Sequence, residues 1–256
     1  MGFWIYLPSV IRLKLTLYFT LGYPDRDVFD LFLKEALKTK VEYFEVGIPT
    51  KHPDYDGPLI RKTHRTAMKH YSTDFLASTV QSIVAERRKA YALVYYNHFH
   101  GEEQAFIRTM KEAGFSGMIV PDLLTEYFDE RITLARKMES SGLHLIPFVN
   151  SSTPDAIIEE ISGVTGDWIY HGLQPSTGIR VPVDLEKMTE RIESLCPGRE
   201  IIYGFGINSK QTIRELKNLG AGGIAVGSSL IPALEHCDLG EFRNELQLLE
   251  EGVYEQ

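Results

Sequence analysis

Glu45 is the first residue whose chemistry stands out, because it is a carboxylic acid inside an apolar, strand-like run. The local sequence reads Phe44-Glu45-Val46-Gly47-Ile48-Pro49. A buried glutamate without a partner is rare and costly, so this side chain either pairs with a basic residue or points into a functional cavity. Burial raises the pKa of a carboxyl toward neutrality, which suits a general acid or base. Glu45 is therefore a candidate for proton transfer, and a structural ion pair is the alternative.

A second acidic group follows in the polar loop 50–58, which carries prolines at both ends. Asp54 and Asp56 lie in this loop, and Gly57 follows Asp56. An isolated Asp-Gly pair most often forms a turn. The loop comes directly after the Glu45 run, however, and this adjacency makes a catalytic role for its carboxylates a second alternative beside a turn.

Two later strand-like runs end in glycines, at 204–207 (Gly-Phe-Gly-Ile) and at 226–229 (Val-Gly-Ser-Ser), and a helix follows the second. Glycine lets a ligand approach the backbone, and a helix N-terminus offers free N–H groups to an anion. These segments predict a phosphate site, and two tight turns are the alternative. Its residues would be Gly204, Phe205, Gly206, Gly227 and Ser228. The loop at 175–180 is either a lid over this site or an ordinary exposed connection.

Short apolar runs that alternate with helical patterns must position these groups. The eight runs are 14–20, 42–47, 90–96, 117–121, 143–148, 167–171, 200–206 and 223–227. Helical spacing occurs at 25–38, 73–88, 101–113, 125–140, 153–161, 184–195, 208–219 and 228–249, the last broken near 237–240. Eight strands favour a closed barrel over a doubly wound sheet, and no Gly-x-Gly-x-x-Gly turn follows the first strand. We expect an α/β fold in which residues 1–256 form a single (β/α)8 TIM-barrel domain, with an extra short phosphate-binding helix after strand eight.

Composition narrows the class of protein without identifying it. Of the 256 residues, 43% are hydrophobic and 24% are charged, as in an ordinary globular chain. A net charge of −8 argues against nucleic-acid binding, and no apolar run is long enough to cross a membrane. The two cysteines suit a reducing compartment, so we expect a cytoplasmic protein. His98 and His100 lack the spacing of a zinc site, so no metal is expected.

In their order along the chain, these segments resemble the α-subunit family of tryptophan synthase. The resemblance runs from Tyr18 to the last helix, which is nearly the whole chain. It is carried by 18–24 (Tyr-Phe-Thr-Leu-Gly-Tyr-Pro), 45–49, 56–60, 95–97, 120–123, 176–178, 204–207 and 226–228. Unrelated phosphate-binding barrels share only the last two segments, so the combined pattern is specific.

The resemblance implies a cofactor-free retro-aldol cleavage of indole-3-glycerol phosphate to indole and glyceraldehyde 3-phosphate, in tryptophan biosynthesis. Glu45 matches the family's general acid/base, Asp56 matches the carboxylate that holds the indole N–H, and Thr177 matches the residue that orients Asp56. Substrate-pocket positions match Phe19, Leu93, Tyr95, Asp122 and Tyr170, and phosphate positions match Gly178, Gly206, Gly227 and Ser228.

Two segments depart from the family pattern where the family meets its β subunit. Lys51-His52-Pro53 replaces the usual Ser-Asp-Pro, and His98-Phe99 stands where a proline usually follows Tyr-Tyr-Asn. A changed rim charge weakens association unless the partner changes too, so we expect an α2β2 complex with a divergent β subunit. The alternatives are a stand-alone lyase, a non-catalytic activating subunit, or another sugar-phosphate barrel enzyme. The last does not explain the Glu45 and Asp56 segments.

Overall fold

The computed structural model describes residues 13–174, 182–207 and 209–254, in which strands and helices alternate. The strands are β1 (Lys14–Thr20), β2 (Tyr43–Gly47), β3 (Lys89–Leu93), β4 (Gly117–Ile119), β5 (His144–Ile146), β6 (Phe148–Asn150), β7 (Ile169–Gly172), β8 (Ile201–Gly204) and β9 (Gly223–Val226). The helices are α1 (Arg26–Leu37), α2 (Pro58–Ala67), α3 (Thr73–Ala85), α4 (Glu103–Ala113), α5 (Arg131–Ser141), α6 (Asp155–Ser162), α7 (Leu185–Leu195), α8 (Lys210–Asn218), α9 (Ile231–His236) and α10 (Leu239–Tyr254).

The strands form one parallel sheet in the order β5-β4-β3-β2-β1-β9-β8-β7-β6. Its two end strands, β5 and β6, are separated in the chain by Pro147 alone. They are therefore two halves of one barrel strand, interrupted where proline lacks a backbone N–H. The Pro147 carbonyl still accepts a hydrogen bond from the backbone N–H of Tyr170 at 2.9 Å. The sheet thus closes into a (β/α)8 barrel, and the predicted fold class is confirmed.

Helix starts follow the sequence signals closely. Several helices begin after a side chain that accepts a hydrogen bond from a first-turn N–H, which would otherwise lack a partner. The capping residues are Asp25 for α1, Ser72 for α3, Asp184 for α7 and Ser209 for α8. None of the helices in the described ranges is long and apolar enough to span a membrane.

Strand side chains alternate between an outer layer, which packs on the helices, and an inner layer, which fills the barrel. On β1, Leu15, Leu17 and Phe19 belong to the outer layer, whereas Tyr18 packs against the inner one. Such alternation follows from the two-residue period of a β-strand. Aromatic rings supply much of the inner layer, including Tyr91, Tyr95, Trp168 and Tyr170.

One helix was not predicted. The sequence predicts a loop at 50–58 and no helix after it, yet α2 begins at Pro58. Its buried residues, Ile60, Thr63, His64 and Ala67, recur at helical spacing. The helix is otherwise strongly charged, so the apolar stripe that normally reveals a helix is too thin to recognise.

The region after the last strand agrees with the prediction. Ser228–Leu230 forms a 3₁₀ turn that leads into the short helix α9. The expected break near 237–240 lies at Cys237, whose backbone is left-handed with φ of 52°. The helix predicted at 125–140 begins later, at Arg131, because a 3₁₀ turn at Phe128–Glu130 precedes it.

Candidate active site

The first feature of the site is a deeply buried carboxyl on β2. All residues of β2 are buried, and the side chain of Glu45 lies in the barrel with a residue exposure of 1%. Its Oε1 atom makes no hydrogen bond to any described residue. Burial, together with the nearby charge of Asp56, raises the pKa of Glu45 to about 8. Of the two alternatives left open by the sequence, the geometry favours a functional cavity over an ion pair.

Asp56 is the second buried carboxyl, and it lies just before the first turn of α2. Tyr95 donates a hydrogen bond from Oη to Asp56 Oδ2 at 2.8 Å. Burial raises the pKa of Asp56 to about 7, against the opposing effects of the Tyr95 hydrogen bond and the Arg61 charge. Arg61 also holds the loop itself, since it donates to the backbone carbonyls of Asp56 and Asp54. The loop thus forms a turn and also places the Asp56 carboxyl at the mouth of the barrel.

Both carboxyls line one cavity, which we call the site cavity, with a volume of about 430 Å³ including its opening. It lies at the carboxyl end of the strands, where active sites of these barrels are built. The predicted residues that line it are Glu45, Asp56, Leu93, Tyr170, Phe205, Gly206, Gly227 and Ser228. Tyr95, which was also predicted, does not line the cavity itself but donates a hydrogen bond to Asp56.

The glycines at the ends of β8 and β9 occupy positions that exclude a larger residue. Gly206 has φ of 100°, a conformation that side chains rarely adopt, and a Cβ there would lie 2.7 Å from Gln174 Cγ. A Cβ on Gly227 would lie 2.9 Å from Tyr18 Cβ. Gly204 does not line the cavity. It packs so closely against Tyr170 that a Cβ at this position would overlap the tyrosine hydroxyl.

Two predicted pocket residues lie elsewhere. Phe19 faces the outer layer, where its ring packs against Phe29, Phe44 and Phe242, because it is one residue out of phase with the inward-facing side of β1. Asp122 does not line the site cavity. It accepts hydrogen bonds from the backbone N–H groups of Tyr96 at 2.7 Å and Asn97 at 3.3 Å, and so braces the turn after β3. The prediction that Thr177 and Gly178 bind substrate and phosphate falls outside the described residues.

Tyr18 and its neighbour His64, which lie at the site cavity and behind Tyr18 respectively, were not among the predicted site residues. Tyr18 lines the cavity, and its Oη lies 3.1 Å from His64 Nε2. The signal for Tyr18 was present on β1, where Thr16, Tyr18 and Thr20 alternate with apolar residues. No comparable signal marks His64, because it lies on the unpredicted helix α2.

The two segments that depart from the family pattern come together at the surface. Lys51 and His52, from the loop that carries Asp56, line one surface groove together with Asn97 and His98. The side chain of His98 packs its ring on Phe106. The two departures from the family pattern therefore alter one continuous surface.

A parallel (β/α)8 barrel with two buried carboxyls at the carboxyl ends of its strands defines an enzyme class that performs acid–base chemistry at the barrel mouth. The family model for the tryptophan synthase alpha chain matches residues 11–254. The chain therefore belongs to the tryptophan synthase alpha chain family, whose lyase reaction cleaves indole-3-glycerol phosphate in tryptophan biosynthesis. The predicted family and reaction are confirmed.

Individual relatives agree with this assignment. The tryptophan synthase alpha chain of Sulfurisphaera tokodaii is 30% identical over 229 residues, covering 88% of this chain and 91% of that protein. The alpha chain of a Roseiflexus species is 32% identical over 252 residues, covering 93% and 92%. A solved structure from Aquifex aeolicus matches with a TM-score of 0.83 and 26% identity, covering 95% of this chain and 94% of that one. Tryptophan synthase from M. tuberculosis, in an open form with BRD0059 bound, shares the fold, with a TM-score of 0.82, 24% identity, and coverage of 95% and 94%.

Proposed function

We propose that Glu45 and Asp56 carry out the retro-aldol cleavage in this chain, with Glu45 as the general acid/base and Asp56 as the carboxylate that holds the indole N–H. The observation that carries this assignment is the pair of buried carboxyls facing one cavity, one of them without a hydrogen bond from any described residue at Oε1. Two carboxyls in different surroundings are suited to two different roles.

The raised pKa of Glu45 matches the first step. With a pKa of about 8, Glu45 holds a proton at neutral pH and donates it to the indole ring carbon that carries the glycerol chain. The ring nitrogen then becomes positively charged. Asp56, which Tyr95 and Arg61 help to keep ionised, stabilises that charge through the N–H.

The second step returns the proton. The Glu45 carboxylate takes the proton of the glycerol hydroxyl next to the ring, the oxygen forms the aldehyde carbonyl, and the bond between the ring and that carbon breaks. The electron pair of the broken bond returns to the ring and neutralises its nitrogen. The products are indole and glyceraldehyde 3-phosphate, and Glu45 is again protonated, so no cofactor is required.

We propose further that the phosphate lies against the glycine-bearing strand ends. Phe205, Gly206, Gly227 and Ser228 line the same cavity at the ends of β8 and β9, and the absence of side chains at the glycines opens the backbone to an anion. Gly204 would act indirectly, by making room for Tyr170. Thr177 and Gly178 retain their predicted roles as part of the proposal. A phosphate held away from the reacting carbon supplies binding energy that aligns the substrate.

The decisive experiment is indole release from indole-3-glycerol phosphate by the purified chain. Glu45→Gln and Asp56→Asn should each lower turnover by about 100-fold or more, because each removes a group that changes charge or stabilises charge in the transition state. Asp54→Asn is the matched control. It changes the same functional group in the same loop, but the Asp54 side chain is exposed and the loop is held through its backbone carbonyl. Wild-type rates in both Glu45 and Asp56 variants would disprove the assignment.

The partner of the proposed complex is a tryptophan synthase β subunit, in an α2β2 assembly of single-domain α chains in the cytoplasm. The surface groove beside Lys51, His52 and His98 carries the chain's departures from the family pattern, and it favours a β subunit with compensating charges. Titration with the β subunit from the same source should raise the rate of indole release.

The same groove also supports the second candidate, a stand-alone lyase, which full activity without any β subunit would establish. No indole release under either condition would instead indicate a non-catalytic activating subunit.

A further inference from the structure

Tyr55 comes immediately before Asp56 in the loop that leads to α2, and it does not line the site cavity. Its backbone N–H donates a hydrogen bond to Tyr95 Oη at 3.2 Å. Tyr95 Oη in turn donates to Asp56 Oδ2 at 2.8 Å. A phenol has a single proton, so the oxygen that accepts from Tyr55 directs its own O–H toward Asp56. The residue before Asp56 therefore helps to direct the donor that Asp56 receives.

The side chain of Tyr55 packs on the same tyrosine. Its partly buried ring stacks on the ring of Tyr95, with centroids 6.4 Å apart and planes inclined by 30°, and it packs against the inner layer of the barrel. Aromatic rings at such a separation attract one another beyond the area that they bury. Arg61 holds the backbone carbonyls on either side, those of Asp54 and Asp56. The ring of Tyr55 adds a contact that holds the loop against Tyr95.

The hydroxyl of Tyr55 reaches the loop after β4, where it is hydrogen-bonded to Thr125 Oγ1. Burial raises the pKa of Tyr55, so the hydroxyl keeps its proton at neutral pH. Thr125 is held in turn by the Asp122 carbonyl, which accepts from Thr125 Oγ1 at 3.3 Å and from its backbone N–H at 3.4 Å. The Asp122 carboxylate binds the turn directly after Tyr95. The loops after β2, β3 and β4 are thus linked, and Tyr55 joins the first of them to the third.

We propose that Tyr55 is a positioning residue for Tyr95: its ring and its hydroxyl hold the loop so that the Tyr95 O–H stays directed at Asp56. This inference rests on the proposed role of Asp56, and it adds a side chain that is not among the predicted site residues. A donor that is already oriented needs no reorganisation when charge develops on the indole nitrogen. Tyr55 acts through Tyr95 and does not need to touch the substrate.

Amide hydrogen exchange at residue 55 tests the first half of this inference without any turnover. Tyr55→Phe removes the hydroxyl and keeps the ring, and Thr125→Val removes the partner of that hydroxyl. We expect the residue 55 amide to exchange about threefold faster or more in each variant, and no faster in the double variant, because both changes remove one hydrogen bond. Tyr127→Phe is the matched control, since it removes a hydroxyl from the same loop as Thr125 that has no hydrogen-bond partner among the described residues. Unchanged exchange in both Tyr55→Phe and Thr125→Val would overturn the inference.

Steady-state kinetics test the second half, which is the effect on Asp56. Tyr55→Ala removes both the ring and the hydroxyl. We expect kcat for indole release to fall about tenfold in this variant and about twofold in Tyr55→Phe, with KM within about threefold of wild type in both. The loss should lie in kcat because Asp56 stabilises charge that develops only in the transition state. A rise in KM with an unchanged kcat would overturn the inference, since it would mean that Tyr55 only helps to bind the substrate.

Tyr95→Phe separates positioning from a general effect on the loop. This variant has no phenol O–H to direct, so adding Tyr55→Ala to it should lower kcat by less than about twofold. A further tenfold loss would show that Tyr55 acts without Tyr95, and it would overturn the inference.

The outcomes also distinguish this inference from the proposed function. Absence of indole release from the wild-type chain, with and without a β subunit, would overturn the proposed function, whereas amide exchange still decides whether the Tyr55 hydroxyl secures the hydrogen bond to Tyr95. Thermal unfolding of each variant confirms that it folds. If Tyr55→Ala does not fold, Tyr55→Leu takes its place, because leucine fills part of the space but has neither an aromatic ring nor a hydroxyl.

Discussion

The two ends of the barrel differ in whether their ionisable side chains have partners of opposite charge or hydrogen-bond partners. At the amino end, which begins near Lys14, ionisable groups have partners: Lys14 Nζ lies 2.6 Å from a Glu200 carboxylate oxygen, and Tyr91 Oη donates to Asp167 at 2.9 Å. Arg199 donates to backbone carbonyls that include those of Ser162 and Thr165. At the carboxyl end, Glu45 and Asp56 are both buried. Among the described residues, no cationic side chain lies within hydrogen-bond distance of either carboxyl group.

The difference separates residues that stabilise the fold from the two carboxyls that we propose for the chemistry. Charges at the amino end have partners and remain partly exposed, so they lose little of their hydration. Unpaired carboxyls at the other end have raised pKa values, which destabilise the folded chain when they ionise but suit proton transfer. A substitution should therefore affect activity at one end and stability at the other.

The largest expected effect is on activity at the carboxyl end. Glu45→Gln should lower kcat for indole release by about 100-fold or more while the chain stays folded, because the amide keeps the shape of the carboxyl but does not transfer the proton. Steady-state kinetics and circular dichroism together check this. The comparison would fail if the variant lost activity only in proportion to its loss of folded protein.

The next effect is on stability at the amino end. Arg199→Met should lower the free energy of unfolding by about 2 kcal/mol, since several part-buried backbone carbonyls lose a charged donor. Urea unfolding measures the loss. Activity per folded molecule should stay within about twofold of wild type. A large fall in kcat would show that the two ends are coupled.

A smaller effect concerns the pH dependence of stability. The unfolded chain loses the Glu45 proton near pH 4.5, whereas the folded chain keeps it to about pH 8. Between these values the folded state binds more protons, so its stability decreases as pH rises, by roughly 1 kcal/mol or more. Glu45→Gln should flatten this decrease in urea unfolding series at several pH values. Parallel pH profiles for the variant and the wild type would contradict the assigned burial of the carboxyl.

The smallest effect is expected at the surface pair of the amino end. The side chains of Lys14 and Glu200 are 32% and 28% exposed, so water and salt screen their attraction. Lys14→Met should lower the free energy of unfolding by about 1 kcal/mol or less. The difference from wild type should shrink further in high salt. A salt-independent loss would mean that the Tyr43 contact of Lys14, at 2.7 Å, matters more than the charge pair.

Much of the fold was predictable because its signals are local. Continuous apolar runs marked the strands of a sheet that is covered on both faces, and polar caps marked several helices. Pro147 divides one predicted strand into β5 and β6 without moving its place in the barrel. Helix α2 was not predicted because only a narrow stripe of its residues is buried. Most of its other positions are polar, so the sequence shows no clear apolar face.

The sequence indicated the two carboxyls that the structure brings into one cavity, but it indicated less of the geometry around them. Glu45 and Asp56 are recognisable because a carboxyl in an apolar run and an acidic loop beside it are unusual. Phe19 was assigned to the pocket in place of Tyr18, and a shift of one residue along a strand reverses the face to which a side chain belongs. Asp122 has the right residue type for a binding site, but its carboxylate is occupied by two backbone N–H groups.

Residue order alone was enough to indicate a parallel barrel, its family, and two acidic residues at the ends of its strands. It left open whether Glu45 pairs with a base, which face of β1 enters the cavity, and what surrounds Asp56. The tertiary structure decided these points, because burial, desolvation and hydrogen bonding depend on groups from distant strands and helices. The raised pKa of Glu45 and the hydrogen bond from Tyr95 to Asp56 exist only once β2, β3 and the loop before α2 are packed together.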